Sequence, residues 1–473
     1  MEQKGAIVRC SEVEGQILSP YFLVRKPDGK DRFILNLKIL NQFMVKNHFK
    51  LENLSTVEQL LCQNDFVASI DMKDAYLLIP LHVESRKFVR FKFKNQIFEF
   101  VSLAFGLSPA PHTYTKLMKV PISYLRSLGF TNVYYLDDYL AIERTKEKCV
   151  ENIMTAVKLL QSLGFIINYK KSHINPTQST IFLGIEIDTK NYCFKLPTEK
   201  REHLISLVKH FLTLERCTIR TFAFLIGKLI SCCTAIEYAY LYTKRMEKDK
   251  IFHLMINNNN YEANMPISKV VREDLEWWSK NLESRVRYIK DYTFDKTIYT
   301  DASLTGWGAT DGVRKIHGFW SEKEKQAHIN FLELLTVKIA LSELIKNAKN
   351  IKVLLRIDNT TAIFYVNKMG GVRVDRLSNL AREIWQWAEN REIRLFASYI
   401  SSKENCIADE LSRISQIDIE WELNDRCFKV LLEKWGEPEI DLFASQENKK
   451  CRQFVSWKPQ QGALCIDAFT ISW

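Results

Sequence analysis

Two adjacent carboxylates, Asp137 and Asp138, lie inside an apolar run that extends from residue 132 to residue 142. A strand–turn–strand segment rich in Val, Tyr, Leu and Ile is expected to be buried, with the two acids at its turn. Two like charges in such a place repel each other and raise each other's pKa. A divalent cation relieves that repulsion, and Mg²⁺ is normally held by one or two carboxylates together with substrate phosphates. A solvated Asp-Asp turn is the alternative, and the dipeptide alone favours it.

A third carboxylate follows another apolar run. Residues 66–70 predict a buried strand that ends at Asp71, and an aromatic residue, Tyr76, follows five positions later. In-line displacement at phosphorus by two metal ions needs carboxylates that converge from neighbouring strands. Asp71, Asp137 and Asp138 are the candidates for such a site.

The segment around Asp71 and the segment Tyr-Leu-Asp-Asp at residues 135–138 resemble, in this order and spacing, two catalytic blocks of the reverse transcriptases. The resemblance implies an RNA-directed DNA polymerase that extends a DNA primer on an RNA template with dNTPs. It implies two Mg²⁺ ions per active site, with Mn²⁺ as an alternative, held by Asp71, Asp137 and Asp138. The implied fold is a right hand of fingers, palm and thumb.

Residues 19–33 resemble the fingers hairpin of this family, in which Lys26 and Arg32 match the basic residues that hold the incoming triphosphate. Arg binds phosphate through a planar fork and Lys as a point charge. An ordinary charged hairpin around a Pro-Asp-Gly turn is the alternative. Residues 103–111 resemble the block that lies against nucleotide and template, with Phe105 and Gly106 as candidate dNTP contacts. Glycine lets a backbone approach a ligand closely.

Two further residues take roles from the same resemblance. Tyr76 matches an aromatic residue that selects deoxynucleotides, because its flat side chain occupies the space that a 2′-hydroxyl would need; a core tyrosine is the alternative. Lys171 matches a lysine that protonates the pyrophosphate leaving group, and the adjacent Lys170 is an alternative for that role. Residues 182–187 resemble the primer grip, the hairpin that seats the primer end.

A second set of acids begins after residue 294. Asp301 and Asp358 end apolar strand-like runs, Glu333 lies among apolar residues at helical spacing, and Asp409 lies near the start of a late helix. A lone acid in such a place is usually surface decoration. Four acids in the order strand, helix, strand, helix resemble the ribonuclease H fold. That resemblance implies that Asp301, Glu333, Asp358 and Asp409 bind two Mg²⁺ ions and that metal-activated water cuts the RNA strand of an RNA–DNA hybrid.

Four further segments make the resemblance to a family of retroelements more specific. Residues 399–413 resemble the end of retrotransposon ribonuclease H domains, although Tyr399 and residues 401–402, Ser-Ser, replace the usual His and Pro-Gly. This replacement argues against histidine-assisted product release and leaves the metal ligands in place. Residues 369–373, residues 441–445 and the pair Ala468-Phe469 resemble DIRS-type retroelements, which combine this polymerase with a tyrosine recombinase. A recombinase or integrase of the same element is therefore an expected partner.

Composition sets the limits of these interpretations. A chain of 473 residues with 46% hydrophobic residues is expected to form two to four domains. Its net charge of +11, from 67 Lys and Arg against 56 Asp and Glu, favours a polyanionic partner. Residues 196–250 hold ten Lys or Arg against six Asp or Glu in a helical, aromatic-interleaved stretch. Such a surface suits a duplex backbone read without sequence specificity, and a solvated face is the alternative.

The eleven cysteines and the N-terminal sequence, which shows no secretory signal, predict free thiols in a reducing compartment. We therefore expect an intracellular protein in the cytoplasm, the nucleus or both. No Cys/His spacing suits a zinc site. No apolar run reaches membrane-span length, so no membrane partner is expected.

The expected fold class is a multidomain protein of α/β and α+β type, a right-hand polymerase followed by a ribonuclease H-like domain. We predict a leader at 1–16, fingers and palm at 17–195, and thumb and connection at 196–293. The ribonuclease H-like domain is predicted at 294–415 and a C-terminal tail at 416–473. Pro197 is expected to open a helix and Thr218 to cap the next one.

Two other functions compete with an active polymerase. A co-opted copy of an element could bind nucleic acid without catalysis, although all seven acids are intact and drift has no reason to spare them. Only 18 residues precede Ser19, so incomplete fingers and an active nuclease alone form the third interpretation. Primer extension separates the three.

Overall fold

A computed structural model gives the fold and describes residues 1–25, 29, 31–45, 47–289, 293–414, 422–456, 459–464, 466 and 470. By packing, the chain divides into two units. The first comprises Met1–Lys296, Ala348–Val353 and Ile363–Ala397, and the second comprises Thr297–Asn347, Leu354–Ala362 and Ser398–Trp473. This division does not test the predicted domain boundaries, which stay predictions.

The first 177 residues alternate short strands with a few helices. In chain order the elements are β1 (Ile7–Cys10), β2 (Tyr21–Arg25), β3 (Asp31–Leu35), α1 (Leu54–Leu60), β4 (Phe66–Lys73), α2 (Val83–Arg86), β5 (Arg90–Phe93), β6 (Gln96–Phe100), α3 (Ala110–Ser127), β7 (Asn132–Tyr135), β8 (Asp138–Glu143), α4 (Lys146–Ser162), β9 (Ile166–Ile167) and β10 (His173–Thr177).

Two of the sheets in this part surround one apolar core. Strands β1, β6 and β5 form an antiparallel sheet in that order, and β2 pairs with β3 as a hairpin. Phe91, Phe98 and Phe100 pack there with Leu35, and the aromatic ring of Phe33 lies 4.9 Å from that of Phe91. The segment 1–16, expected to lead into the fingers, contributes β1 to this sheet.

A second sheet has the order β10-β4-β8-β7, and β9 also pairs with β4. Strands β4, β7 and β8 are rich in apolar residues because both of their faces are largely buried, and α3 and α4 pack against this sheet. Tyr114 and Met118 of α3 and Leu160 of α4 belong to this core. Strand β4 runs two residues beyond its predicted end at Asp71, because β9 pairs with Met72 and the residue that follows it.

Residues 179–288 form a small sheet and a helical region. The elements are β11 (Ser179–Phe182), β12 (Ile185–Asp188), β13 (Cys193–Lys195), α5 (Thr198–Thr213), β14 (Arg216–Thr218), α6 (Ile219–Ile230), α7 (Lys244–Ile256), β15 (Asn264–Pro266), α8 (Lys269–Asn281) and β16 (Arg287–Tyr288). The sheet order is β11-β12-β13-β16. Helix α5 begins directly after Pro197, and the Thr218 side chain accepts a hydrogen bond from the backbone N–H of Thr221. Both predicted helix starts are confirmed.

The remaining described residues form a second mixed region. The elements are β17 (Lys296–Ala302), β18 (Gly306–Thr310), β19 (Lys315–Phe319), α9 (Glu322–Lys325), α10 (Ile329–Leu344), β20 (Lys352–Ile357), α11 (Thr360–Asn367), α12 (Asp375–Glu389), β21 (Arg394–Tyr399), α13 (Cys406–Ser412), α14 (Asp425–Trp435), β22 (Ile440–Leu442) and β23 (Gln453–Val455). Five strands form one sheet in the order β19-β18-β17-β20-β21. Strands β17, β18 and β19 form an antiparallel meander, and α10 and α13 pack against β18.

Helix α12 packs within the first unit through buried polar contacts. The Arg382 guanidinium donates to Asp274 at 2.5 Å, and the carboxylate of Glu389 accepts from the Tyr242 hydroxyl at 2.5 Å and from the Trp277 indole at 2.9 Å. Buried charges persist when they are paired in this way. Within the described residues, no helix has both the length and the apolar character needed to cross a bilayer.

Candidate active sites

The three predicted polymerase carboxylates meet at one end of the sheet formed by β10, β4, β8 and β7. Leu136 and Asp137 form a two-residue turn between β7 and β8, and Leu136 has the left-handed φ of +52° that such a tight hairpin needs. Asp71 on β4 lies directly opposite Asp138 on β8 in the antiparallel register. The Met72 backbone N–H donates to the carbonyl of Asp137 at 2.8 Å. The turn therefore brings three acids from two neighbouring strands together.

The carboxylates of this site act on one another. Burial, followed by the charges of Asp137 and Asp71, raises the pKa of Asp138 to about 6. Burial also raises the pKa of Asp137, and the Asp71 charge acts in the same direction. The ammonium of Lys171 lowers the pKa of both Asp137 and Asp138. A site with this much unfavourable negative charge favours a cation.

Lys171 reaches the acids because of the strand order. It lies in the loop of residues 168–172 that joins β9 to β10, and both of those strands pair with β4. The loop therefore crosses the sheet edge beside Asp71. Its alternative, Lys170, lies in the same loop, and both lysines are exposed. The electrostatic contact favours Lys171, and its role in proton transfer stays a prediction.

Two residues outside the predicted site hold Asp71. The Asn168 side-chain amide donates to Asp71 Oδ1 at 2.5 Å, and the Asp71 backbone N–H donates to Ser172 Oγ at 3.0 Å. These polar residues lie three positions before and one position after Lys171, but spacing in the sequence gives no sign that they reach a strand about 100 residues earlier. Only the fold shows the contact.

The residues predicted to surround the incoming nucleotide also lie together. The half-buried ring of Tyr76 lies 5.1 Å from that of Phe105 and 5.3 Å from that of Tyr114. Burial, and then the charge of Asp137, raises the pKa of Tyr76 to about 12, so its hydroxyl stays protonated near the acids. Gly106 has a φ of +93°, a backbone conformation that favours glycine, and its carbonyl accepts from the Asn41 amide at 2.9 Å. The structure thus brings Tyr76 and Phe105 to one surface.

The predicted phosphate-binding residues of the fingers are only partly described. Lys26 lies outside the described residues. Arg32 lies on β3 opposite Val24, and its side chain is likewise outside the described part of the chain. Their roles stay predictions.

The second acidic site lies wholly in the second unit. Asp301 on β17, Glu333 on α10 and Asp358 after β20 each offer an oxygen within 4.8 Å of the others. Burial is the largest cause that raises the pKa of Glu333 to about 9 and that of Asp301 to about 6, and neighbouring carboxylates add to both shifts. Asp301 and Glu333 are only 3% and 4% exposed. The prediction placed these three acids correctly on strand, helix and strand end.

The fourth predicted acid, Asp409, is bonded to a cation, and the charge of this acid raises the pKa of Asp301. Asp409 Oδ1 accepts from Arg413 Nε at 2.9 Å and Nη2 at 2.7 Å, one helical turn further along. The three-residue acidic cluster found among the described residues does not include it. Its predicted role as a metal ligand stays a prediction.

Hydroxyl groups support this second site where the sequence offered no clear signal. Ser412 donates to Asp301 Oδ2 at 2.6 Å, and Ser402 donates to Asp358 Oδ2 at 2.8 Å. Ser402 belongs to the Ser-Ser pair that stands where the resembling family has Pro-Gly. Their presence in the segment around Asp409 was the available signal for these two serines. Serine is so common, however, that its position in the sequence alone does not predict a hydrogen bond to a metal-binding acid.

The residues of both sites fit a hard divalent cation. Carboxylate oxygens are the donors that Mg²⁺ and Mn²⁺ prefer. In the second site, Glu333 Oε2 is buried and has no hydrogen-bond partner among the described residues. A buried, unpaired carboxylate oxygen is costly, and coordination to a cation would satisfy it. In the first site, the directly opposed Asp71 and Asp138 offer a comparable donor set.

Similar proteins were found for both sequence and fold. A model of the family described as "Reverse transcriptase (RNA-dependent DNA polymerase)" matches residues 24–187. The enzymatic polyprotein of Figwort mosaic virus (strain DxS) is 24% identical over 430 residues, which are 85% of this chain and 59% of that protein. The transposon Tf2-3 polyprotein of Schizosaccharomyces pombe is 22% identical over 441 residues, 87% of this chain and 30% of that protein. The chain thus spans less than two thirds of these relatives.

The structure of foamy viral protease-reverse transcriptase dRH in complex with double-stranded DNA aligns with a TM-score of 0.53 and 16% identity. It covers 84% of this chain and 67% of that one. The complex of foamy viral protease-reverse transcriptase with RNA/DNA hybrid aligns with a TM-score of 0.52 and 15% identity. This alignment covers 89% of this chain and 54% of that one. These likenesses confirm the predicted polymerase fold class. Together with the family match over residues 24–187, they show that this chain is similar to the reverse transcriptases of retroelement and retroviral-like polyproteins.

Proposed function

We propose that this chain is the RNA-directed DNA polymerase of a retroelement and that it extends a primer with dNTPs by two-metal phosphoryl transfer. One observation carries the proposal: Asp71 and Asp138 face each other across neighbouring strands, with Asp137 in the adjoining turn. The arrangement lies inside the 24–187 match to the reverse transcriptase family. Convergent carboxylates of this kind suit in-line displacement at a phosphate.

Asp71, Asp137 and Asp138 would hold the metal ions, which when bound activate the attacking hydroxyl and stabilise charge on the leaving oxygen. Lys171 places an ammonium beside the same acids, where it can neutralise or protonate a departing pyrophosphate. The Tyr76 ring, packed on Phe105, forms a rigid wall where a ribose 2′-hydroxyl would otherwise fit. The acids would thus hold the metal ions, Tyr76 would discriminate between dNTP and rNTP, and Lys171 would supply a proton.

Primer extension tests the polymerase. The purified chain is given a labelled oligo(dT)–poly(rA) duplex, dTTP and Mg²⁺, with Asp137→Asn as the matched variant. Extension by the wild type alone supports the proposal. A folded, hybrid-binding wild type that does not extend the primer would favour the nuclease-only or binding function.

We further propose that the second acidic site is a ribonuclease H centre that cuts RNA in RNA–DNA hybrids. The three oxygens of Asp301, Glu333 and Asp358 within 4.8 Å support this assignment. Those residues would hold Mg²⁺, which when bound supplies a nucleophilic hydroxide. Ser412 and Ser402 orient two of the carboxylates through their hydroxyls. Asp409 completes the proposed set after it leaves Arg413.

A hybrid with labelled RNA tests the nuclease. We expect the wild type to release short RNA fragments in Mg²⁺ and Glu333→Gln to release none, since Gln keeps the shape of the side chain but is a weaker ligand. Equal cleavage by both proteins would place the nuclease elsewhere or in a contaminant.

The proposed substrates are an RNA template, a DNA primer, their hybrid and dNTPs. The net charge of +11 and the basic stretch at 196–250 support a polyanionic partner. The foamy viral proteins in the similar structures are complexed with double-stranded DNA and with RNA/DNA hybrid. Because backbone contacts dominate such binding, we expect affinity to fall steeply with salt and to change little with sequence.

We propose that the element is DIRS-like, on the sequence patterns at 369–373 and 441–445; the third pattern, Ala468-Phe469, lies outside the described residues. A recombinase of the same element would then be the integrating partner. Sequencing the genomic copies that carry this chain tests the assignment. A neighbouring tyrosine-recombinase frame supports it, and a retroviral-type integrase frame in its place contradicts it.

A further inference from the structure

We propose that Asn168 is a positioning residue that fixes the orientation of the Asp71 carboxylate toward the metal ions. The inference rests on the proposed polymerase function and names a residue that supports it. The Asn168 amide donates to Asp71 Oδ1 at 2.5 Å. This contact sets the rotation of the carboxylate and leaves Oδ2 for a cation.

The contact belongs to a closed set of hydrogen bonds, which we call the Asp71 clasp, made by Asp71, Asn168 and Ser172. The Asn168 backbone N–H donates to the Asp71 carbonyl at 2.8 Å, and the Asp71 N–H donates to Ser172 Oγ at 3.0 Å. Ser172 Oγ donates in turn to the Asn168 carbonyl at 2.9 Å. Main chain and side chain of Asp71 are therefore held by the same short loop.

The place of the clasp in the sheet explains why it is needed. On one side of β4, β10 pairs with residues 67 and 69 and β9 pairs with residues 72 and 73. Asp71 falls between these two pairings, so no strand residue lies opposite it on that side. The clasp supplies the missing hydrogen bonds to its N–H and C=O groups, and adds one to its carboxylate.

The chemistry of the donor favours a role in positioning. A hydrogen bond to a carboxylate is stronger than one between neutral groups, so it orients the acceptor well. An amide does this without positive charge and does not compete with a metal ion. Asp409 shows the opposite arrangement, since the Arg413 guanidinium occupies its carboxylate.

The hydrogen-bond partner of the Asn168 side chain is unusual for an asparagine in a turn. Asn side chains in turns commonly bond to backbone groups two to four residues away. The Asn168 amide instead reaches a side chain 97 residues earlier in the chain. Local turn formation alone does not account for that contact.

Metal binding tests the proposal directly. Mn²⁺ is titrated into the full chain and the free ion is followed by electron paramagnetic resonance. The parent carries Asp301→Asn and Glu333→Gln, so that the second site contributes little. We expect Asn168→Ala to weaken Mn²⁺ binding about 10- to 100-fold, the usual effect of removing an outer partner of a metal ligand. The matched control is Tyr169→Ala, an exposed neighbour in the same loop.

Primer extension supplies a second readout. Asn168→Ala should need more Mg²⁺ for half-maximal extension, and high Mg²⁺ should restore its rate but not that of Asp71→Asn. Asn168→Ser, whose hydroxyl is too short to reach Asp71 Oδ1, replaces Asn168→Ala if thermal melting shows that the alanine variant is unfolded.

Two results would overturn the assignment. One is Mn²⁺ affinity of the Asn168 variant within about twofold of the parent, well below the outer-partner range. The other is an equal loss in Tyr169→Ala, which would indicate general loosening of the loop. A wild type that binds Mn²⁺ but extends no primer would remove the proposed function, while the binding comparison still decides the role of Asn168.

Discussion

Both acidic sites are built from carboxylates, but they differ in burial and in the cation that lies beside them. Asp138 of the first site has a pKa raised to about 6, and the ammonium of Lys171 lowers it from a higher value. Glu333 of the second site has a pKa raised to about 9, and two neighbouring carboxylates add to the effect of burial. The cation of the second site, Arg413, is bonded to Asp409 at its edge.

This difference indicates how much the stability of each site depends on a bound metal ion. A cation balances part of the charge in both sites before a metal arrives, since Lys171 lowers the pKa of Asp137 and Asp138 and Arg413 lowers that of Asp301. In the second site, an unpaired oxygen of Glu333 is buried among other acids, and protonation is the main relief in the absence of metal. We therefore expect the second site to gain more stability from Mg²⁺ than the first.

The largest expected effect separates the two sites. Asp137→Asn should reduce primer extension by more than about 100-fold, beyond the range of outer-partner losses, and leave hybrid cleavage intact. Asp358→Asn should do the reverse, because each variant removes a charged ligand from one site only. Both activities are measured on the same preparations. Loss of both in a folded variant would contradict independent sites.

Tyr76→Val should come next in size and affect the first site alone. Without the ring, the 2′-hydroxyl of an rNTP gains space, and the preference for dNTP should fall about 10- to 100-fold. The ratio of kcat/KM for dTTP and UTP measures this. Tyr76→Phe is the matched control, since it keeps the ring that packs on Phe105. Unchanged discrimination in the valine variant would make Tyr76 a core residue.

The pH dependence of unfolding tests the burial of Glu333. Its folded pKa of about 9 lies above an unfolded value of about 4.3, so the folded state binds more protons between them. The stability that the protonated carboxyl contributes is full below the unfolded pKa and is lost as pH rises toward 9. Metal-free wild type should lose up to about 1.4 kcal/mol per pH unit more than Glu333→Gln in this window.

Denaturant melts at pH 6, 7 and 8 in EDTA supply the measurement. Added Mg²⁺ should stabilise the wild type most at pH 8. Parallel pH profiles for wild type and Glu333→Gln would show that Glu333 is ionised in the folded state without metal.

Arg413→Gln should have the smallest effect on stability. The pair with Asp409 joins residues one helical turn apart, and the arginine side chain is 66% exposed. Exposed pairs of this kind contribute about 0.3–0.5 kcal/mol. The midpoint of urea unfolding should therefore shift only slightly. A loss of several kcal/mol would show that Arg413 holds the second site together.

Much of this arrangement could be predicted from local sequence. Apolar runs that end in acids predict β4, β17 and β20, because a buried strand needs apolar residues along its length. The Asp-Asp pair inside an apolar run predicts the hairpin turn, because two charges are excluded from a buried strand. Helical spacing placed Glu333 on α10. These signals act over a few residues, so they survive without knowledge of the fold.

The residues that support the acids could not be predicted in this way. Asn168 and Ser172 reach Asp71, and Ser412 reaches Asp301, across about 100 residues or more. Their contacts follow from which strands pair and in what register. The length of β4 was missed for the same reason, since its last residues are extended only because β9 pairs with them.

The position of β4 between other strands has a consequence for motion. Hydrogen bonds run along one side of it to β8, and along the other to β10, the clasp and β9. The amides of β4 should therefore exchange with solvent only when the sheet opens as a whole. Asp71 therefore keeps its position while other parts of the site move. Adjustment to different substrates then falls to the turn at residues 136–137.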